Sequence, residues 1–143
     1  MGTVEVRVAD TSAKRRIGLS RTASLDTNNG MLFVHPESDS HRYNMDDMSF
    51  PLDIIFVAKD GTITRIHHAP VSGGFLGETY TGNGKYVLEL KRGWTAERGV
   101  GPGDVVQVPE NLSASDSWLW FTSSSERLYV NDYYWRVDRR WQE

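Results

Sequence analysis

The chain has no cysteine. That excludes disulfides, thiolate zinc sites, iron–sulfur clusters and a cysteine nucleophile. It has no apolar run near the roughly 18 residues of a membrane span. Its first residues, Met1-Gly2-Thr3-Val4-Glu5, lack the basic and apolar blocks of a signal peptide. The chain as given is therefore expected in the cytoplasm or within a soluble assembly. An excess of positive charge is missing as well: 16 Lys and Arg stand against 19 Asp and Glu, for a net charge of -3. That balance argues against a nucleic-acid or anionic-membrane partner.

Several catalytic and ligand motifs are also absent. No Gly-x-Ser-x-Gly elbow and no His-x-x-x-His helical zinc spacing occurs. His67 and His68 are adjacent, so a regular strand points them to opposite faces and they cannot share one ion. His35 and His41 lie in another segment. Asp46 and Asp47 are not followed by a calcium-loop pattern. Gly82-Asn83-Gly84-Lys85 looks like the end of a phosphate loop, but Thr79 stands where that loop needs Gly and Tyr86 where it needs Ser or Thr. Those glycines read as turns. No metal and no cofactor is expected.

What the sequence does contain is an ordinary ordered composition: 143 residues, 38% hydrophobic and 24% charged. A chain of that length forms one domain that buries about two-thirds of its unfolded surface. Val4, Val6 and Val8 alternate with charged residues and predict a half-buried strand. Asp10-Thr11-Ser12 supplies N-cap chemistry for a short helix over 12–17, with Gly18 beyond it. A short buried strand over 30–34 is stopped by Pro36, and 37–42 reads as a polar loop. Asp60-Gly61 between 52–58 and 63–68 is a hairpin signal. Residues 70–84 are glycine-rich and read as a long loop, with Ser72-Gly73-Gly74 a flexible part of it. Residues 85–91 predict a strand with Tyr86, Leu88 and Leu90 on one face. Residues 95–98 suit one helical turn closed by Gly99, and 105–108 a last buried strand. The expected fold is mainly β (a β-rich α+β domain), a small barrel or curled antiparallel sheet with one or two short helices. Residues 1–110 form that β domain. Residues 111–143 form an aromatic-rich C-terminal β extension, packing on the domain or on a partner.

Motifs in a fixed order carry a family resemblance. They are Arg16-Ile17-Gly18-Leu19; then Leu25 and Gly30-Met31-Leu32-Phe33-Val34; then Met45 and Pro51-Leu52-Asp53-Ile54-Ile55-Phe56. Gly61, Ile63 and Pro70 follow, then Tyr86-Val87-Leu88-Glu89-Leu90 with Gly93, and Gly103-Asp104 with Val106. Together they resemble the DUF192 family, a domain of unknown function, from about Val4 to Val108. The resemblance implies a compact β-rich fold and no assigned activity. Two positions depart from its pattern: Ser20 replaces the usual Met, and Asp46 replaces a basic residue, which weighs against anion binding by that loop. The segment after Asn111 has no counterpart in it.

Asp53 is the sharpest site residue. It lies in the apolar stretch Leu52-Asp53-Ile54-Ile55-Phe56-Val57, and a buried carboxylate must be paired, hydrogen-bonded or protonated. One reading is a structural lock onto Arg15, Arg16 or a turn of backbone N–H groups. The other is a ligand anchor in a cleft shared with Met45, with Arg16 nearby. Glu89 interrupts an apolar strand and is expected to face water, with the same cleft as its alternative. In the C-terminal extension Trp118, Trp120, Tyr133, Tyr134, Trp135 and Arg136 suit either added strands or a docking surface. The expected function is a non-enzymatic binding and assembly module working through protein contacts or self-association, as an accessory subunit of a larger particle or envelope complex. The alternative is a small-ligand-binding protein or hydrolase with a cleft around Met45 and Asp53. No nucleophile–base pair is visible, so no catalytic residue is assigned.

Overall fold

A single mixed sheet carries the chain. The computed structural model describes residues 3–72, 78–108 and 134–138, with Thr3 and the last of these stretches described by backbone alone. The elements are β1 (Thr3–Ala9), α1 (Ser12–Ile17), β2 (Asn29–Asn44), β3 (Leu52–Val57), β4 (Ile63–Ala69), β5 (Thr79–Lys91), α2 (Trp94–Arg98) and β6 (Tyr134–Asp138). The strand order is β4-β3-β5-β2-β1-β6. β4 and β6 are its edges, so the sheet is open and is not a barrel. Every pairing is antiparallel except β1 with β2, which is parallel. A parallel neighbour needs a crossover, and α1 supplies it.

β3 is an interior strand of the sheet. All six of its residues are buried, and it pairs with β4 on one side and β5 on the other. Burial of Leu52, Ile54, Ile55 and Phe56 contributes about 1.5–3 kcal/mol each. That offsets the roughly 1–2 kcal/mol needed to fix each backbone unit. Alternation along the strands divides the core in two. Val6, Val8, Leu32, Val34, Ile55, Leu88 and Leu90 pack on the first face with Trp94 of α2. Met31, Phe33, Ile54, Phe56 and Val87 pack on the second with Leu19, just beyond α1.

Two stretches expected to be loops are strand. Residues 39–44 of β2 pair with 79–84 of β5, and the ladder is irregular only between Val34 and Asp39. This arm is hidden in the sequence because its residues are polar and largely solvent-facing. Nor do Gly82 and Gly84 make turns. A Cβ on Gly82 would lie 2.4 Å from the Phe56 ring, and one on Gly84 would lie 2.5 Å from the Val57 carbonyl oxygen. These glycines let the arm cross closely over β3. Residues 105–108 contribute an isolated bridge, Thr62 to Val105, in place of a strand. Gly82→Ala should therefore destabilise the fold by about 1–3 kcal/mol through overpacking. Gly101→Ala, with nothing within 4 Å of its Cβ position, should change stability little. Urea unfolding of both variants checks the contrast.

Candidate functional site

Local sequence hangs α1 over the second face of the sheet. Thr11 caps the helix by accepting from the Lys14 N–H, at 3.2 Å. Gly18 ends it with φ +51°, and its missing Cβ leaves room for the Phe33 ring, which would lie 3.1 Å away. The chain then turns inward at the buried Leu19. Between α1 and the arm of β2 lies a cleft of about 390 Å³, within the range of small-molecule sites.

The break in the β2 ladder shapes one wall. Freed carbonyls there need partners, and two cations supply them. Arg15 donates to the Val34 carbonyl at 2.9 Å. Lys85 Nζ donates to the carbonyls of His35 and Pro36, at 2.9 and 3.1 Å. The break lets His35 stack on His41, with ring centroids 3.6 Å apart. His35 Nε2 also lies 2.7 Å from the Tyr43 hydroxyl. Burial first, then the nearby His41, Arg15 and Lys85, push the His35 imidazole down to about 4. Burial and the proximity of Glu89 hold the Tyr43 phenol well above its ordinary range, against a smaller opposing pull from Arg15.

Glu89 of β5 lies opposite Met31 and Ile54 and shares their face. Contrary to the expectation that it faces water, it is buried, with 4% of its surface exposed. It lines the cleft beside Phe33 and Tyr43. No hydrogen bond joins its carboxyl to any other of the described residues. Burial pushes the carboxyl up to about 8, so at neutral pH it is mostly protonated and able to donate. Arg16 and Arg42 are exposed at the rim, where Asp46 also lies.

Asp53 and Met45 do not share this cleft. Met45 is buried in the core of the second face. Asp53 pairs across the sheet with Leu90, which belongs to the first face. There its carboxylate accepts from the Thr95 N–H at 3.0 Å, the Thr95 hydroxyl at 2.7 Å and the Gly93 N–H at 3.4 Å. His68 Nδ1 lies 2.8 Å from Oδ1, the oxygen that also faces Gly93. Gly93, the N-cap of α2, has no side chain to cap with, and Asp53 caps the helix from β3 in its place. The partners are backbone N–H groups, a hydroxyl and a histidine, not Arg15 or Arg16. Trp118, Trp120 and Tyr133 lie outside the described residues. Tyr134, Trp135 and Arg136 belong to β6, whose backbone pairs with β1.

Of the residues singled out from sequence, Arg16 and Glu89 line the cleft; Tyr43, His35 and Arg15 were not singled out as cleft residues. The available signal was Val87. With Tyr86, Leu88 and Leu90 on one face, an apolar residue two before Glu89 marks the other face as buried too. Among the described residues, no group of three His, Asp or Glu is placed to hold a metal ion, and no helix is long and apolar enough to cross a membrane.

Comparison with known proteins agrees with the motif order. The DUF192 family model, described as "Uncharacterized ACR", matches residues 1–108. A "putative transcription regulator" from Sinorhizobium meliloti has a crystal structure similar to this chain. It is 34% identical, with a TM-score of 0.66, over 71% of this chain and 79% of that one. A protein of unknown function from Novosphingobium aromaticivorans is 31% identical, with a TM-score of 0.65, over 72% of this chain and 74% of that one. No curated protein matches the sequence.

Proposed function

The chain belongs to the DUF192 family, and we propose that it is a small-molecule-binding module whose ligand sits between α1 and the β2–β5 arm. One observation carries this reading. Glu89 is a buried carboxyl on the wall of a 390 Å³ cleft, without a hydrogen-bond partner among the described residues. The side chain is buried while its carboxyl opens on the cleft, so a ligand group there can meet it. The neighbouring Tyr43, His35 and Arg15 add directional polar groups to an apolar floor, the usual make-up of a binding site.

NMR of the whole chain tests the reading. Small carboxylates, phosphates, amines and amides are added in turn, each at millimolar concentration. At least one class should shift the amides of Gly18, Tyr43 and Glu89 saturably, and Glu89→Leu should remove the effect. Shifts confined to other surfaces, or none with any class, would sink the proposal.

A second reading keeps the chain as a non-enzymatic assembly module, alone or within a larger complex. β6 favours it: as the last strand of the sheet, its outer edge has no partner among the described residues, and such edges recruit further strands. Trp118, Trp120 and Tyr133 would add aromatic anchors. Light scattering of the full chain against residues 1–110 checks it. The full chain should associate and the shorter one should stay monomeric and folded; an unfolded shorter chain would mark the extension as structural.

A further inference from the structure

We propose that the cleft takes a ligand with an anionic group at the Arg16–Arg42 rim and an uncharged, hydrogen-bond-accepting group at Glu89. The inference rests on the small-molecule reading above and names its ligand class.

The exposed rim and the buried wall of the cleft differ in charge. Arg16 and Arg42 are exposed, and no ion-pair partner for either is found among the described residues. Arg15, half-buried, adds a third guanidinium. Against these stands the single carboxylate of Asp46. The rim therefore favours an anion, and guanidinium forks suit a carboxylate or phosphate. The buried wall carries the Glu89 carboxyl. Burial is what raises the Glu89 carboxyl. A carboxyl in that setting keeps its proton and donates it in a hydrogen bond. The partner it lacks is an acceptor such as an amide or ester carbonyl. An ammonium head would need Glu89 ionised in a desolvated place.

The choice between acceptor and ammonium is open to a direct test. Two series share a carboxylate tail and chain length and differ only at the head. One is N-acetylglycine, N-acetyl-4-aminobutyrate and N-acetyl-6-aminohexanoate; the other is the corresponding free amino acids. Binding to the full chain is followed by NMR titration. The best acetylated compound should bind roughly tenfold or more tightly than its free amine, the usual worth of a hydrogen bond to a buried polar group. Glu89→Gln keeps a donor and should retain that binding, whereas Glu89→Leu should lose it. Arg16→Ala and Arg42→Ala should each weaken it severalfold. Thermal melts establish that each variant is folded. Tighter binding of the free amines, lost in Glu89→Gln, would overturn this ligand class while leaving the cleft as a binding site. Binding of neither series at the cleft would overturn the ligand class by itself, and the broader panel above decides the binding reading separately.

Discussion

Asp53→Ala should lower the stability of the fold by about 3–5 kcal/mol, the cost of stripping a buried, hydrogen-bonded charge from its partners. Its carboxylate is fully buried and holds the first turn of α2 through the Thr95 N–H, the Thr95 hydroxyl and the Gly93 N–H. Alanine would leave those donors facing a small cavity. It would also detach Trp94, which α2 presses into the core of the first face. Asp53→Asn keeps an acceptor for Thr95 but loses the charge that attracts His68, so about half the loss is expected. Urea unfolding measures both. Because Asp53 lies across the sheet from the cleft, neither variant should change ligand binding in the fraction that remains folded. A cost below about 1 kcal/mol for Asp53→Ala would show that α2 is held by packing alone.

Much of this was legible along the chain, and the illegible parts share a cause. Thr11 as helix cap, Gly18 and Gly99 as helix ends and Asp60-Gly61 as a hairpin turn are short-range chemistry. Each depends on a few neighbouring residues. The burial of β3 on both faces was legible too, because its residues are apolar at both parities. The arm of β2 and β5 was not, because polar, exposed strands lack the alternation that reveals a half-buried one. Gly82 and Gly84 misled for the same reason: what demands glycine there is Phe56 and the backbone of Val57, remote in sequence. The site followed this pattern. That Asp53 would be buried was readable from its neighbours. Backbone N–H groups were among its expected partners; that they belong to α2, whose N-cap Gly93 has no side chain, was set by the pairing of β3 with β5.

Among the described residues, the sheet thus buries two carboxyl groups, Asp53 and Glu89, and resolves them oppositely. On the first face, Asp53 is surrounded by donors and works as a lock. On the second, Glu89 has burial without donors, beside open space. A buried group of the second kind costs the fold stability, and a structure that retains one is not optimised for stability at that point. The cleft, not the lock, is where binding is to be sought.

The cost of Glu89 gives the fold a pH dependence that can be isolated. Its carboxyl titrates near 8 in the folded chain, against 4.5 for an ordinary glutamate. Below pH 4.5 both states hold the proton and the group exacts no penalty. As pH rises further, the unfolded chain ionises while the folded chain keeps its proton, so stability is lost progressively until pH passes about 8. Each pH unit within that window removes up to about 1.4 kcal/mol, for a total of roughly 3–5 kcal/mol. His35 acts in the opposite sense: its folded value of about 4 lies below 6.5, so stability is lost as pH falls through that range. Asp10, raised by burial, acts in the same sense as Glu89, losing stability as pH rises above 3.8. Lys14, lowered to about 8 from 10.5, acts mainly above pH 8. Subtraction removes these contributions. Between pH 5 and 8, the melting temperature of Glu89→Gln should rise steadily relative to that of the parent chain, by roughly 10 °C over the window. A calorimetric series on the two proteins measures it. Parallel curves would mean that Glu89 ionises freely in the folded state, and the protonated acid on which the binding site is argued would be gone.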